Sequence, residues 1–203
     1  MDLLTARDIN GDATTNALEF DGLDKMLAGT TSEFNAGGTL DISTMAKLKE
    51  NADQMYELIQ NLIKATDADA LLMNTATISK IQTMARILGY KTETEEAFGK
   101  KVTSMDGVRF MDLKNVYSQN EGAPVATPCV PVSAEGVTDI YAVKFDVNDG
   151  FHGVTLTGNS GITQYVPDFT KPGAVKDGEV EMVAATVLKN TAHAGVLRGI
   201  KLV

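Results

Sequence analysis

The sequence predicts an α+β fold built as one principal domain, and three features carry that reading. Two amphipathic helical patterns enclose a short apolar run between Ser43 and Gly89, the last third of the chain is rich in strand-like segments, and nothing repeats at a fixed period. Counted from Met45 at about 100° per residue, Met45, Leu48, Ala52, Met55, Tyr56, Ile59, Leu62 and Ile63 share one arc of roughly 120°. Asp53, Gln54, Glu57, Gln60, Asn61 and Lys64 fill the opposite arc, so one long helix is expected to lie as a layer on something else. Asp67 and Asp69 interrupt that pattern, and Leu71-Leu72-Met73 is short enough to be one strand buried on both faces. Asn74 or Thr75 can cap a second helix with Ile78, Ile81, Met84, Ala85 and Leu88 as its stripe, and Gly89 can end it.

Upstream, residues Met1 to Asn16 are polar, with a turn expected at Asn10-Gly11-Asp12 and no apolar period to hold the segment down; more chain is expected in front of it. Leu18, Phe20, Leu23, Met26 and Leu27 form the first apolar cluster, read as a short helical turn over Gly22 to Leu27. A loop is expected from Gly29 to Gly38, and Asp41 or Ser43 starts the long helix. Downstream, Tyr90 to Lys100 is charged and reads as a solvated connection. Val102, Met105, Val108 and Phe110 surround Asp106-Gly107, a strong hairpin signal. Ser118 to Gly136 carries Pro124, Pro128 and Pro131 and reads as a long irregular loop. Asp139 to Phe145 and Gly153 to Thr157 flank the turn Asn148-Asp149-Gly150, so a meander is expected. A short strand at Ile162 to Val166, a long one at Gly178 to Leu188, a helical turn at Thr191 to Gly195 and a final strand at Val196 to Val203 complete the chain.

Charge and composition narrow the function. With 27 acidic against 18 basic residues the net charge is -9, and no Lys/Arg cluster tracks a phosphate backbone, which disfavours direct nucleic-acid binding. No apolar run reaches the ~20 residues of a spanning helix, and the first residues lack signal-peptide features, so a soluble intracellular protein is expected. One cysteine removes an internal disulfide framework, and two distant histidines disfavour a His-rich metal site. Nine methionines and no tryptophan lean toward an adaptable, subunit-contacting protein.

No catalytic constellation emerges. Asp67 and Asp69 have a spacing that can serve a divalent cation, yet no companion ligands follow, and turn and helix-ending roles are expected. His152 and His193 are each conceivable general bases without a Ser or Cys partner in sequence. Cys129, within Pro128-Cys129-Val130-Pro131, lacks a helix start or a cationic neighbour that would make it reactive. Gly158-Asn159-Ser160-Gly161 is a turn without the lysine of a phosphate loop. No catalytic, cofactor-binding or metal-binding residue is therefore assigned, no cofactor is expected, and the chain reads as a non-enzyme. Two readings of other classes stand beside this one: a small hydrolase using His152 or His193 with an acidic residue, and a monomeric binding module that leaves the Met-bearing helix face exposed.

Several segments in order resemble the major capsid proteins of tailed bacteriophages, of the Hong Kong 97 type. They are Glu19-Phe20-Asp21-Gly22-Leu23, the long helix after a variable loop, Asp69-Ala70-Leu71-Leu72-Met73-Asn74 leading into the Ile78 to Leu88 helix, Asp106-Gly107-Val108, and Ile140-Tyr141-Ala142-Val143-Lys144-Phe145. The resemblance runs from about residue 12 to the end. It implies an axial domain over 18–178, C-terminal strands returning to a peripheral domain over 179–203, and a remnant of the peripheral spine helix and connecting loop over 1–17. The N-terminal arm, the extended loop and most of the spine helix of that family have no counterpart, so the chain resembles the C-terminal two-thirds of such a protein. A shortened expression product, a trimmed product or a degenerate prophage gene would each give this. No crosslinking chemistry is carried over. The resemblance implies a virion shell subunit, assembled in the bacterial cytoplasm into pentamers and hexamers around double-stranded DNA that is enclosed without sequence-specific binding, with no membrane partner. An encapsulin-like compartment shell is the neighbouring alternative. The chain by itself is expected to be a monomer or weak oligomer. The Ser118 to Gly136 segment is expected to contact neighbours near a capsomer axis or to be displayed on the surface.

Overall fold

The computed structural model describes residues 9–15, 20–89, 93–97, 100–120, 123–156, 158, 162–167, 169–170 and 172–203. A short helix α1 (Leu23–Leu27) leads to strand β1 (Glu33–Asp41), and helices α2 (Met45–Glu50) and α3 (Ala52–Thr66) follow. Strand β2 (Ala70–Met73) and helix α4 (Thr75–Leu88) complete the helix, strand, helix unit expected from sequence. Strands β3 (Glu93–Ala97), β4 (Lys100–Met105) and β5 (Val108–Asp112) come next, then the hairpin β6 (Asn115–Asn120) and β7 (Ala123–Pro128). Strands β8 (Val137–Val143), β9 (Phe151–Thr155), β10 (Ile162–Tyr165), β11 (Glu179–Met182) and β12 (Ala184–Leu188), a 3-10 turn at Thr191–His193 and β13 (Ala194–Lys201) close the chain.

Seven strands form one mixed sheet in the order β1-β13-β8-β2-β5-β4-β3. Strand β2 runs parallel to β5 and antiparallel to β8, at the centre, and all four of its residues are buried. Period-two alternation sorts the two faces. Leu71, Met73, Ile140, Ala142, Leu197 and Ile200 join one core with Leu48, Met55, Ile59, Leu62, Ile81 and Met84 from the helices. Ala70, Leu72, Tyr141, Val143, Ala194 and Val196 join the opposite core with Ile9, Leu23, Leu27, Val130 and Phe151. The helix face that carries Met55 and the stripe that carries Met84 are thus core, both methionines being fully buried, and a binding module that leaves this face exposed is not supported.

Sequence expectations fail at definite places. The long helix is two helices, because Asn51 (φ -99°, ψ 8°) breaks the path and its side-chain amide donates to the Asp41 carbonyl at 2.8 Å. Thr44 caps α2, and Met45, placed on the buried arc by an unbroken helix, is 53% exposed. Residues read as a loop from Gly29 to Gly38 include most of β1, which is recruited as a parallel partner of β13 from the far end of the chain. The solvated connection read over Tyr90 to Lys100 contains β3, paired with β4. The irregular Ser118 to Gly136 segment begins as the β6–β7 hairpin; its prolines Pro124 and Pro128 sit on β7, which has no second neighbour among the described residues, where a missing N–H is tolerated. The meander is absent: β8 pairs with β13 and β2, while β9 pairs with β12. The long strand at Gly178 to Leu188 divides at Val183 into β11 and β12, which have different partners. Strand β13 lies inside the main sheet between β1 and β8.

The Asp106-Gly107 hairpin forms as read, with φ of 55° and 82° at the two positions. Ile9, within a segment read as untethered, is fully buried. It is held where the chain doubles back: the Gly22 N–H donates to the Gly11 carbonyl at 2.7 Å, and a Cβ on Gly22 would meet the Gly11 nitrogen at 2.6 Å. The turn follows Asp12 over Ala13 to Thr15, slightly later than expected. Leu18 and the first eight residues lie outside the described residues.

Helix α4 starts and stops as read. Asn74 Oδ1 accepts the Thr77 N–H at 2.8 Å, Asn74 Nδ2 donates to Thr138 Oγ1 at 3.0 Å, and Gly89 takes φ 78° at the C-terminus. Asn74→Ala removes these bonds, with that from Thr77 Oγ1 to Oδ1 at 2.9 Å, and is expected to cost about 1 kcal/mol, read as a lower urea midpoint at unchanged m-value.

Candidate functional site

The residues singled out for chemistry fall in separate places with structural partners. Asp67 takes the left-handed conformation (φ 50°) that ends α3, and its carboxylate pairs with Lys144 at 2.7 Å. That ammonium holds the Asp67 carboxyl below its ordinary range. Asp69 accepts the Phe145 N–H at 3.1 Å, so the two carboxylates brace the end of β8. His152, on β9, contacts the Gly150 carbonyl through Nδ1 at 3.3 Å. His193, in the 3-10 turn, faces Asp149 with Nε2 at 3.5 Å while its buried Nδ1 has no hydrogen bond among the described residues. Among those residues no hydroxyl or thiol hydrogen-bonds either ring. Cys129 is fully buried beyond β7, its N–H on the Lys114 carbonyl and its carbonyl accepting Asn10 Nδ2 at 2.8 Å. Of Gly158 to Gly161, only Gly158 is among the described residues.

Two features that the sequence reading did not single out stand out instead. The first is a charged cluster at the junction of α1 with the sheet. Arg198 of β13 donates from Nη1 to Asp24 of α1 at 2.6 Å and to Asp139 of β8 at 3.2 Å, and from Nε to Glu33 of β1. The Tyr141 hydroxyl donates to Asp24 at 2.8 Å, and Asp139 accepts the Gly199 N–H at 3.0 Å. One guanidinium thereby ties four elements together. Burial acts against the Arg198 charge, but the bonds to Asp24 and Glu33 outweigh it and its pKa is raised. Burial and the Asp24 charge raise that of Tyr141. The Gly29 N–H and then Arg198 hold Glu33 below its ordinary range. Beside the cluster lies a cavity of about 390 Å³ whose lining includes Asp24, Glu135, Asp139, Tyr141 and Arg198. The signal in sequence was the single arginine within the otherwise uncharged run Ala194 to Ile200.

The second feature is an extended arm. Strands β9 and β12 pair from Phe151↔Leu188 out to Thr155↔Ala184, and β10 and β11 continue from Ile162↔Met182 to Tyr165↔Glu179. Phe151 anchors the base in the core, but among the described residues the outer ribbon pairs only with itself. On one of its faces Ile162, Met182 and Val180 stand together with Gln164; on the other Tyr165 and Thr163 oppose Glu179 and Glu181. Leu156, Ile162, Tyr165, Val166, Phe169, Val175, Val180 and Met182 are all more than half exposed. An isolated two-stranded ribbon is marginal in water, and an apolar one calls for a cover.

Among solved structures, the chain is similar to the holo-SrpI encapsulin complex of Synechococcus elongatus PCC 7942, determined by cryo-electron microscopy. The TM-score is 0.60 at 14% identity, over 89% of this chain. The chain has the Hong Kong 97-like fold. The α+β class expected from sequence is that of this fold, with the mixed sheet and its helical layer at its centre. The chain spans 57% of the length of that encapsulin chain. No protein-family model and no curated protein sequence matches it.

Proposed function

We propose that this chain is a structural subunit that assembles with copies of itself into a closed shell, and that it is not an enzyme. The observation that carries the reading is the Hong Kong 97-like fold joined to an arm whose apolar side chains have no cover among the described residues. Each exposed arm side chain offers on the order of 100 Å², so the eight together approach the ~800 Å² that one partner gives to a standard interface.

Within that class we favour the major capsid protein of a tailed phage or prophage, forming pentamers and hexamers around packaged double-stranded DNA. The support is the ordered set of capsid-like segments and the net charge of -9, since an anionic wall does not trap the genome it encloses. An encapsulin-like compartment, favoured by the encapsulin likeness, is the second reading. Genes for a large terminase, portal and prohead protease beside this one would support the capsid; particles that purify with protein and without DNA would support the compartment.

The assembly reading is tested by sedimentation velocity and negative-stain microscopy across a concentration series. The chain is expected to self-associate with rising concentration. Val180→Asp with Met182→Glu, both on the arm and outside the core, is expected to weaken association at least tenfold, while far-ultraviolet circular dichroism stays the same. Unchanged association in that variant removes the arm from the interface, and a wild-type chain that stays monomeric at every concentration counts against assembly through this arm.

A further inference from the structure

Three carboxylates share the Arg198 guanidinium, and they are not equally supplied. Glu33 takes the Arg198 Nε–H on one oxygen and the Gly29 N–H at 2.7 Å on the other. Asp24 Oδ1 takes Nη1 at 2.6 Å and the Tyr141 hydroxyl at 2.8 Å. Asp139 has the Gly199 N–H on Oδ1 and, on Oδ2, only the longer 3.2 Å contact to that same Nη1. Two carboxylate oxygens from different elements, α1 and β8, therefore converge on one nitrogen. The charged and titratable groups facing Asp139 are Arg198 from β13, Asp24 from α1, Glu33 from β1 across the guanidinium, Tyr141 from its own strand, and Glu135 from the loop before β8, on the shared cavity. One cation stands against four carboxylates.

We propose that Asp24 and Asp139 form a proton-operated clasp: one proton taken from solvent by Asp139, as the pH falls, turns a like-charged pair into a carboxyl–carboxylate pair and fastens α1, with the segment from Ile9, onto the sheet. Asp139 is the member that protonates, because its two hydrogen bonds, at 3.0 and 3.2 Å, are longer than the 2.6 and 2.8 Å bonds that Asp24 receives. Burial, with the Asp24 charge adding to it, holds its carboxyl above the ordinary range against the opposing Gly199 N–H and Arg198. When α1 lifts away, Asp139 regains water and loses its like-charged neighbour, so its pKa returns toward the ordinary value. The closed form then binds the proton more tightly, and linkage requires the clasp to strengthen as pH falls through the closed-form pKa toward the ordinary carboxylate range. Glu33 has the opposite sign. Its lowered pKa contributes stability that is present above its ordinary value and lost as pH falls through its folded value. The clasp is tightest at pH values below the closed-form pKa of Asp139 and above the folded-form pKa of Glu33, whether or not the chain builds a shell.

The test is amide hydrogen exchange on the full chain from pH 8 to pH 5, corrected for the intrinsic pH dependence of exchange, with the Met26 and Gly199 amides as reporters. Local opening is expected to fall about tenfold for each unit by which the closed-form pKa of Asp139 exceeds its open-form value. Asp139→Asn, which keeps an acceptor for the Gly199 N–H and cannot ionise, is expected to hold the slow, low-pH level of opening at every pH. Carboxyl carbon NMR of the unmodified chain gives an independent reading, in which Asp139 titrates above the ordinary aspartate range. An Asp139 that titrates at or below that range, or an Asn variant with the pH dependence of the parent, overturns the proposal.

Discussion

Arg198→Met is expected to lower the unfolding free energy at neutral pH by about 3 kcal/mol, the low end for breaking a buried ion pair. The methionine fills much of the volume but leaves Asp24, Glu33 and Asp139 without their shared cation. Their side chains keep 27% to 39% exposure, so water screens part of the repulsion and the upper end of the range is not reached. The sign with pH follows from the same groups. Glu33, held low by the Gly29 N–H and Arg198, contributes stability above its ordinary pKa, and the variant forfeits the arginine's share there. As pH falls through the folded-state pKa of Glu33, the parent loses that contribution, and the two proteins converge. Urea unfolding at pH 7.5 and pH 4 checks this, and equal midpoints at pH 7.5 would contradict it.

Leu62→Ala is expected to cost about 3 kcal/mol, since Leu62 is fully buried where α3 crosses β13. The site is tight because Gly195 lets the helix approach the strand. A Cβ on Gly195 would meet Leu62 Cδ1 at 2.9 Å, Thr66 Cγ2 at 2.8 Å and the Ser32 carbonyl at 2.9 Å. Gly195→Ala alone is therefore expected to cost 1–3 kcal/mol by overpacking, about the usual range for an inserted methyl. In the double variant the new methyl takes part of the space the leucine vacates. The combined loss should fall short of the sum, and a double-mutant cycle in urea measures the difference.

Part of the candidate surface was open to reading before any coordinates. The alternating residues of Ile162 to Val166 and Gly178 to Leu188 marked strands, yet nothing local told that β10 and β11 would pair with each other, or that their apolar side chains would face water. The Arg198 cluster was equally hidden. Its acids come from α1, β1 and β8, up to 174 residues away along the chain, and a pairing of that span has no local pattern.

By itself the sequence determined the elements whose causes are local. The helix, strand, helix unit, the Asn74 cap, the Gly89 stop, the Asp106-Gly107 turn and the both-faces burial of Leu71 to Met73 follow from side-chain period, capping chemistry and backbone sterics within a few residues. The order of capsid-like segments pointed to the same fold. Tertiary structure alone decided which strands became neighbours. Glu33 to Asp41 is a strand because β13 offers a parallel edge, Met45 is exposed because Asn51 is drawn to the Asp41 carbonyl, and β9 leaves β8 because β13 occupies the place a meander would have given it. Strand pairing is settled by backbone hydrogen bonds between segments far apart in sequence, and their free energy depends on which edge is vacant once the core has closed.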